Sequence, residues 1–298
     1  MNIQPTEIYM KKIIRIYNKL FSSKLVWLRR YIEKKSNSIW YDYPFGRHPI
    51  GTEKEYLNLF HDSRDKKYNE VDKFEEGTGF FIDKEWLDDL ALHTQIVIKN
   101  STLCYAHGRV LFSALSNYIK SFNCSSNLKN TSINIWETGT ARGFSAICMA
   151  KALDESGCPG KIVTFDVLPH DTKMYWNCID DLEGPKTRSE LLASWIRLSQ
   201  NYIFFHQGET KIELPKITTE RIHFAFLDGA HTYNDVMFEF MQIKNKQLPG
   251  DIIIYDDYTP DQFTGLVKAV DEICEKYRYK KKVINAHSHR GYLIATKL

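Results

Sequence analysis

From Ser132 onward, short apolar runs alternate with stretches whose apolar residues recur at helical spacing. Residues 133–138 (INIWET), 161–167 (KIVTFDV), 202–207 (YIFFHQ), 221–228 (RIHFAFLD) and 251–257 (DIIIYDD) read as strands. Helical sequence follows them, at 143–153 (GFSAICMAKAL), near 171–181 and 187–198, and beyond the later strands. The chain closes with VINAHSH and RGYLIATKL, which read as a hairpin or two closing strands. Strands alternating with helices of about 10–15 residues predict an α/β fold, a doubly wound and mostly parallel sheet with helices on both faces.

The first third is patterned differently. Residues 7–35 place Ile8, Ile13, Ile14, Ile16, Tyr17, Leu20, Phe21, Leu25, Trp27, Leu28 and Ile32 at helical spacing. Residues 36–82 are rich in aromatics, glycine and proline (WYDYPFGRHPIG, then EEGTGFFID) and read as an irregular cap. From Lys84 to Ile119 the pattern turns helical again. The expected organisation is a basic amphipathic arm (1–36), an aromatic-rich cap with a connecting helix (37–100) and a catalytic domain (101–298).

Charge sharpens this picture. The formal net charge is only +3, too small to argue for a nucleic-acid partner. Residues 1–36 hold nine basic residues against Glu7 and Glu33, so they carry +7 and the remainder −4. The arm can pack on the body or on a second copy in a homo-oligomer. It can also make a peripheral contact with anionic lipid, as basic amphipathic helices do. No run of about 18 apolar residues exists, so a membrane span is not expected. Nor does an apolar core with a small-residue cleavage site follow the basic N-terminus, which argues against a signal peptide. Six scattered cysteines without a CxxC pair fit a reducing cytoplasm, and argue against a zinc site or disulfide framework.

The candidate chemistry lies at the strand ends. Asp228 follows one buried run, and Asp256 and Asp257 follow the next. Neighbouring parallel strands end on one edge, so these carboxylates are expected to converge there. Clustered carboxylates repel unless a cation sits among them, and hard oxygen ligands favour magnesium or calcium. His231 lies one helical turn from Asp228 in this reading. The first strand ends in Glu137-Thr138-Gly139-Thr140-Ala141-Arg142-Gly143. Its glycines allow a ligand to approach the backbone, and the helix after Gly143 offers free N–H groups. The spacing is GxxxG rather than GxGxxG, which weakens a nicotinamide-dinucleotide reading. Asp166 ends the second strand, where an acid hydrogen-bonds ribose hydroxyls. Gly208, after the third, leaves space beside an adenine ring. Together these imply an adenosine-bearing ligand.

The order of Glu-x-Gly-x-x-x-Gly, strand-end Asp, LDGAH and LPGDIIIYDDY resembles the class I S-adenosylmethionine-dependent methyltransferases. Within them it is most similar to the metal-dependent O-methyltransferases of the macrocin (sugar) O-methyltransferase and cephalosporin-hydroxylase-like group, including FTGLVKAVDEI after the aspartate pair. The resemblance covers residues 101–298 and implies a Rossmann-like sheet. It implies a cofactor pocket of Glu137, Gly139, Thr140, Gly143, Asp166, Gly208 and Asp228, with magnesium or another hard divalent cation on Asp228, Asp256 and Asp257. His231 becomes the base that takes the proton of an acceptor hydroxyl, on a sugar, a glycosylated metabolite or another small molecule. The sequence departs from the pattern twice: Ala141 replaces a glycine of many such turns, and Asp256-Asp257 stands where sugar-modifying relatives often carry Glu-Asp.

Other candidates carry competing readings. Tyr105, His107 and Arg109 either face substrate or pack a helix on the sheet. Trp40, Tyr41, Tyr43 and Phe45 either stack on a sugar or form a core or oligomer contact. His287 and His289 have metal-ligand spacing but read as a solvated turn. A catechol-type small-phenol methyltransferase is the near alternative. An oxidative, cephalosporin-hydroxylase-like enzyme lacks an evident 2-His-1-carboxylate triad. A non-catalytic adenosine-ligand binding protein would have no use for the carboxylate trio.

Overall fold

Seven strands form one mixed sheet in the order β3-β2-β1-β4-β5-β7-β6. They are β1 (Ile133–Thr138), β2 (Gly160–Asp166), β3 (Ile203–Gln207), β4 (Phe224–Leu227), β5 (Ile252–Tyr255), β6 (Tyr279–His287) and β7 (Arg290–Lys297). The first five are mutually parallel, and β7 inserts antiparallel between β5 and β6. This computed structural model describes residues 45–125, 132–287 and 290–298. The expectations for the arm at 1–36 and for Trp40, Tyr41, Tyr43 and His289 lie outside the described residues. All the helices and strands described here belong to the compact unit His48–Leu298.

Strand alternation sorts the side chains into two cores. Ile133, Ile135, Phe224, Phe226 and Ile254 face one cluster; Trp136, Ala225, Leu227, Ile253 and Tyr255 face the other. The helices are α1 (Glu53–Arg64), α2 (Asn69–Thr78), α3 (Lys84–Thr94), α4 (His107–Ser125), α5 (Phe144–Ser156), α6 (Ile196–Tyr202), α7 (Tyr233–Ile243) and α8 (Thr264–Lys276). The first cluster is roofed chiefly by α4 and α5 (Val110, Leu111, Ile147, Met149), the second by α7 and α8 (Phe240, Ile243, Leu266, Val270). Both faces are therefore covered, as a doubly wound sheet requires. Among the described residues, no helix is long and apolar enough to cross a membrane.

The helical and irregular expectations need four corrections. Residues 36–82 are not wholly irregular, because α1 and α2 lie there. Thr52 opens α1 with a capping box, its hydroxyl accepting from Glu55 N while Glu55 returns the bond to Thr52 N. The helical pattern from Lys84 to Ile119 is two helices, since the chain leaves α3 and runs extended before α4. There the Ile98 N–H and C=O pair with the Asn177 side-chain amide at 3.0 and 2.9 Å, a partner far along the chain. No α-helix forms at 171–181. Instead the buried Asp181 carboxylate accepts the N–H groups of Trp176, Asn177 and Cys178, which takes them from a helical ladder. The segment 187–198 is helical but broken, into one α-helical turn at Arg188–Leu191, a 3-10 turn at Ala193–Trp195 and the start of α6.

Asn177 sits at φ 53°, in the left-handed region that asparagine adopts at lower cost than alanine. Asn177→Ala removes both Ile98 bonds and the one from Tyr56 Oη. Urea denaturation is expected to record a loss of about 2–3 kcal/mol, with buried backbone groups left unpaired. A loss below about 0.5 kcal/mol would mean water replaces the amide at no cost.

Candidate active site

The chain winds from β1 to β2 and β3 on one side, then returns to place β4 and β5 on the other. Ligands of open α/β sheets bind outside the strand ends at this reversal. Here it lies between β1 and β4. Gly139 sits just past β1 at φ 85°, and a Cβ there would overlap the carbonyl oxygen of Asp228. Only glycine allows the two strand ends to close this far. Asp228 N donates to Thr138 O at 3.0 Å and Gly139 N to Phe165 O at 2.9 Å, so three strand ends are tied together.

The turn then enters α5 through Gly143, at φ 94° with Leu192 packed where a Cβ would point. Ala141 occupies a left-handed position, φ 45°, that a glycine would take without strain. It is held there from both sides: its N–H donates to Asp166 Oδ2 at 2.6 Å, and its C=O accepts from Arg188 Nε at 2.8 Å. Asp166 Oδ1 also accepts from Leu168 N at 2.8 Å, so the acid expected to face a ribose already braces the loops around it. Burial raises its pKa, opposed by the nearby Arg188 guanidinium. Glu137 is fully buried. One of its oxygens accepts from the Thr164 hydroxyl, which also meets the Thr140 hydroxyl at 2.5 Å; the other has no partner. An unpaired buried acceptor beside a glycine turn suits a ligand donor such as an amino group. At Gly208, after β3, the Glu213 side chain packs where a Cβ would point.

The carboxylate centre differs from the expected trio. Asp228 and Asp257 converge as the strand order dictates, and His231 joins them. Its Nε2 lies 3.1 Å from Asp257 Oδ2 and 3.8 Å from Asp228 Oδ1, while its ring packs on Phe263 at 4.6 Å. One ligand atom from each of these three residues falls within 4.8 Å of the others. The two carboxylate oxygens fit a hard divalent cation, with the imidazole nitrogen within reach of both. Asp256 does not join them. It is fully buried, with one oxygen on Arg290 and the other accepting from Asp257 N at 2.8 Å. Nor is His231 a helical turn from Asp228; it sits in the loop before Thr232, the N-cap of α7. Asp228 and Asp257 push the His231 pKa up to about 10, so without another cation its imidazolium balances the pair. Asp257 itself adopts φ 54°, a strained conformation of the kind that concentrates at functional sites. Beneath this loop lies Glu239, buried, with Oε2 accepting from Thr138 Oγ1 at 3.1 Å and Oε1 unpaired near Gly229.

Tyr105, His107 and Arg109 do not form one surface. Tyr105 Oη donates to Asp88 at 2.8 Å, and Arg109 clasps Glu75 and Asp72. Both line a cavity of about 420 Å³ among the first four helices, with Tyr68, Phe81 and Leu87. His107 is instead buried against Phe144 and Phe226, where burial holds its pKa well down. Sequence reasoning missed Arg290, Arg188 and Glu239. None belongs to a motif that marks it as functional.

Residues 136–258 match the profile of a family described as "Methyltransferase domain". That stretch of the chain is therefore similar to a methyltransferase domain. It runs from within β1 to just past β5, so it contains the glycine turn and all three members of the centre. Among solved structures, the fold is similar to the O-methyltransferase TomG from Streptomyces achromogenes, crystallised with SAM. That match has 16% identity, covers 74% of this chain and 92% of that one, and has a TM-score of 0.48. It is similar also to the O-methyltransferase NovP, with 17% identity, 62% and 78% coverage and a TM-score of 0.45. No curated protein matches the sequence.

Beside the glycine turn, burial pushes the Glu137 pKa up to about 7 from an ordinary 4.5. The folded state then keeps a proton that the unfolded state has released. Its contribution to stability is full below the unfolded value and falls as pH rises through the folded one. Glu137→Gln should flatten the ligand-free stability profile between those values, and stabilise the protein at pH 8 by on the order of 3 kcal/mol. Denaturant titrations of both proteins at pH 4.5, 6 and 8 check this. Parallel profiles would mean that Glu137 is ionised when folded.

Proposed function

We propose that the chain moves a methyl group from S-adenosylmethionine to a hydroxyl of a sugar or glycosylated metabolite, with a divalent cation, magnesium or a similar hard ion, at Asp228 and Asp257. The observation that carries the reading is the closure of Gly139 on Asp228. It sets the cofactor turn of a methyltransferase domain directly against a centre of two carboxylates and an imidazole. Glu137, Gly139, Thr140, Gly143 and Asp166 would hold the methyl donor, the unpaired Glu137 oxygen accepting from its amino group.

A hydroxyl is a poor nucleophile at neutral pH, and a bound cation lowers the pKa of an oxygen it coordinates. The remaining work belongs to the protein. Asp228 and Asp257 would hold the ion and through it orient the acceptor, and positioning of this kind supplies roughly 7–11 kcal/mol in favourable cases. His231 accepts the hydroxyl proton. It needs its neutral form to do so, and the two carboxylates release it to that form when their charge is shared with a cation. Phe263 against the ring limits how far His231 can swing.

Calorimetry with S-adenosylhomocysteine is expected to give saturable binding, and no heat at millimolar ligand would remove the donor from the reading. With an acceptor in hand, EDTA should abolish turnover and magnesium restore it. His231→Ala should lower the rate roughly 100-fold or more and leave S-adenosylhomocysteine affinity unchanged, the scale of a lost general base. An unaltered rate would reduce His231 to a scaffold.

A further inference from the structure

Arg290 opens β7, which runs antiparallel to β5 and pairs Leu293 with Tyr255. That register brings the start of β7 beside the end of β5, where the two aspartates emerge. The guanidinium forks across them, donating from one nitrogen to Asp256 Oδ2 and placing another 2.9 Å from Asp257 Oδ1. Its Nε is buried, and among the described residues its ion pairs are with these two carboxylates. The strand start is pinned as well. Tyr258 N donates to Gly291 O at 2.9 Å, and a Cβ at Gly291 would overlap the Tyr258 carbonyl oxygen.

The two aspartates consequently differ. Asp256 has a partner on each oxygen and no exposure. Asp257 has Oδ1 on Arg290, while Oδ2 faces His231 and the open side of the centre. We infer that Arg290 is a positioning residue that divides the pair, taking Asp256 out of the ligand set and presenting a single oxygen of Asp257 to a cation. A planar fork is needed to hold both carboxylates, and a lysine ammonium cannot reproduce it. The inference rests on the cation site proposed above.

Manganese binding tests it without reference to turnover. Free Mn²⁺ is measured by electron paramagnetic resonance in titrations of the full chain and of the D228N, D256N, D257N and R290K variants. All are held well below their thermal midpoints and checked for native near-ultraviolet dichroism. D228N and D257N should weaken binding by roughly tenfold or more, and R290K by on the order of tenfold, the scale of a lost outer-shell partner. D256N should stay within about threefold of the parent, below that scale. If D256N weakens binding as much as D257N, Asp256 is a ligand and the inference falls. It falls also if R290K lowers the thermal midpoint but leaves the Mn²⁺ affinity of the folded protein intact, since Arg290 is then a structural prop. A parent protein that binds S-adenosylhomocysteine but no Mn²⁺ overturns the cation site itself, and the division of the pair with it.

Discussion

The approach of Gly139 to the Asp228 carbonyl is the constraint on which the site depends. Parallel neighbours β1 and β4 diverge in connectivity, and the space between their ends would open into an ordinary crevice if residue 139 carried a Cβ. Because it does not, the turn and the acidic loop meet backbone to backbone, with Asp228 N donating to Thr138 O. Every nearby feature is referred to that contact. Ala141 is strained but clamped, Gly143 starts α5 against Leu192, and the loop after Asp228 is laid over the buried Glu239.

A second constraint is the cost of burying acid. Asp181 is satisfied by three backbone N–H groups, Asp166 by two with Arg188 nearby, and Asp256 by Arg290 and a backbone N–H. Glu137 and Glu239 each keep one unpaired oxygen, and burial pushes both pKa values up to about 7. The same fold thus holds its buried carboxylates in three settings: braced by backbone N–H groups, paired with an arginine, or left with one oxygen unpaired. Only Asp228 and Asp257 face each other across a partly open space, and His231 is the group between them.

The N-terminal third illustrates how far local signals reach. The Thr52 to Glu55 capping box and Gly79, left-handed just past α2, are local devices for starting and ending helices. They were legible among the aromatic and glycine-rich residues that read as an irregular cap. The breaks in the longer helical patterns were not. Ile98 leaves helical geometry because Asn177 supplies both a donor and an acceptor, and 171–181 stays open because Asp181 outcompetes the ladder. Periodicity records which face of a segment is apolar, and it is silent about a polar group arriving from elsewhere.

What the sequence alone determined was everything set by local period and strand-end chemistry: the five parallel strands, the closing antiparallel pair, the glycine turn, and Asp228 and Asp257 on one edge. These follow because side chains alternate along a strand and parallel neighbours end together. What only the tertiary structure decided was the partition of the charges. Asp256 and Asp257 are adjacent in the chain and chemically identical. One is consumed by Arg290 and the other is free to act, because an antiparallel strand delivers the arginine from 33 residues downstream of Asp257. His231 reached the centre through a loop rather than a helix, and His107 was drawn into the core. Distances between charges in space, not spacings along the chain, set which acid pairs and which remains available.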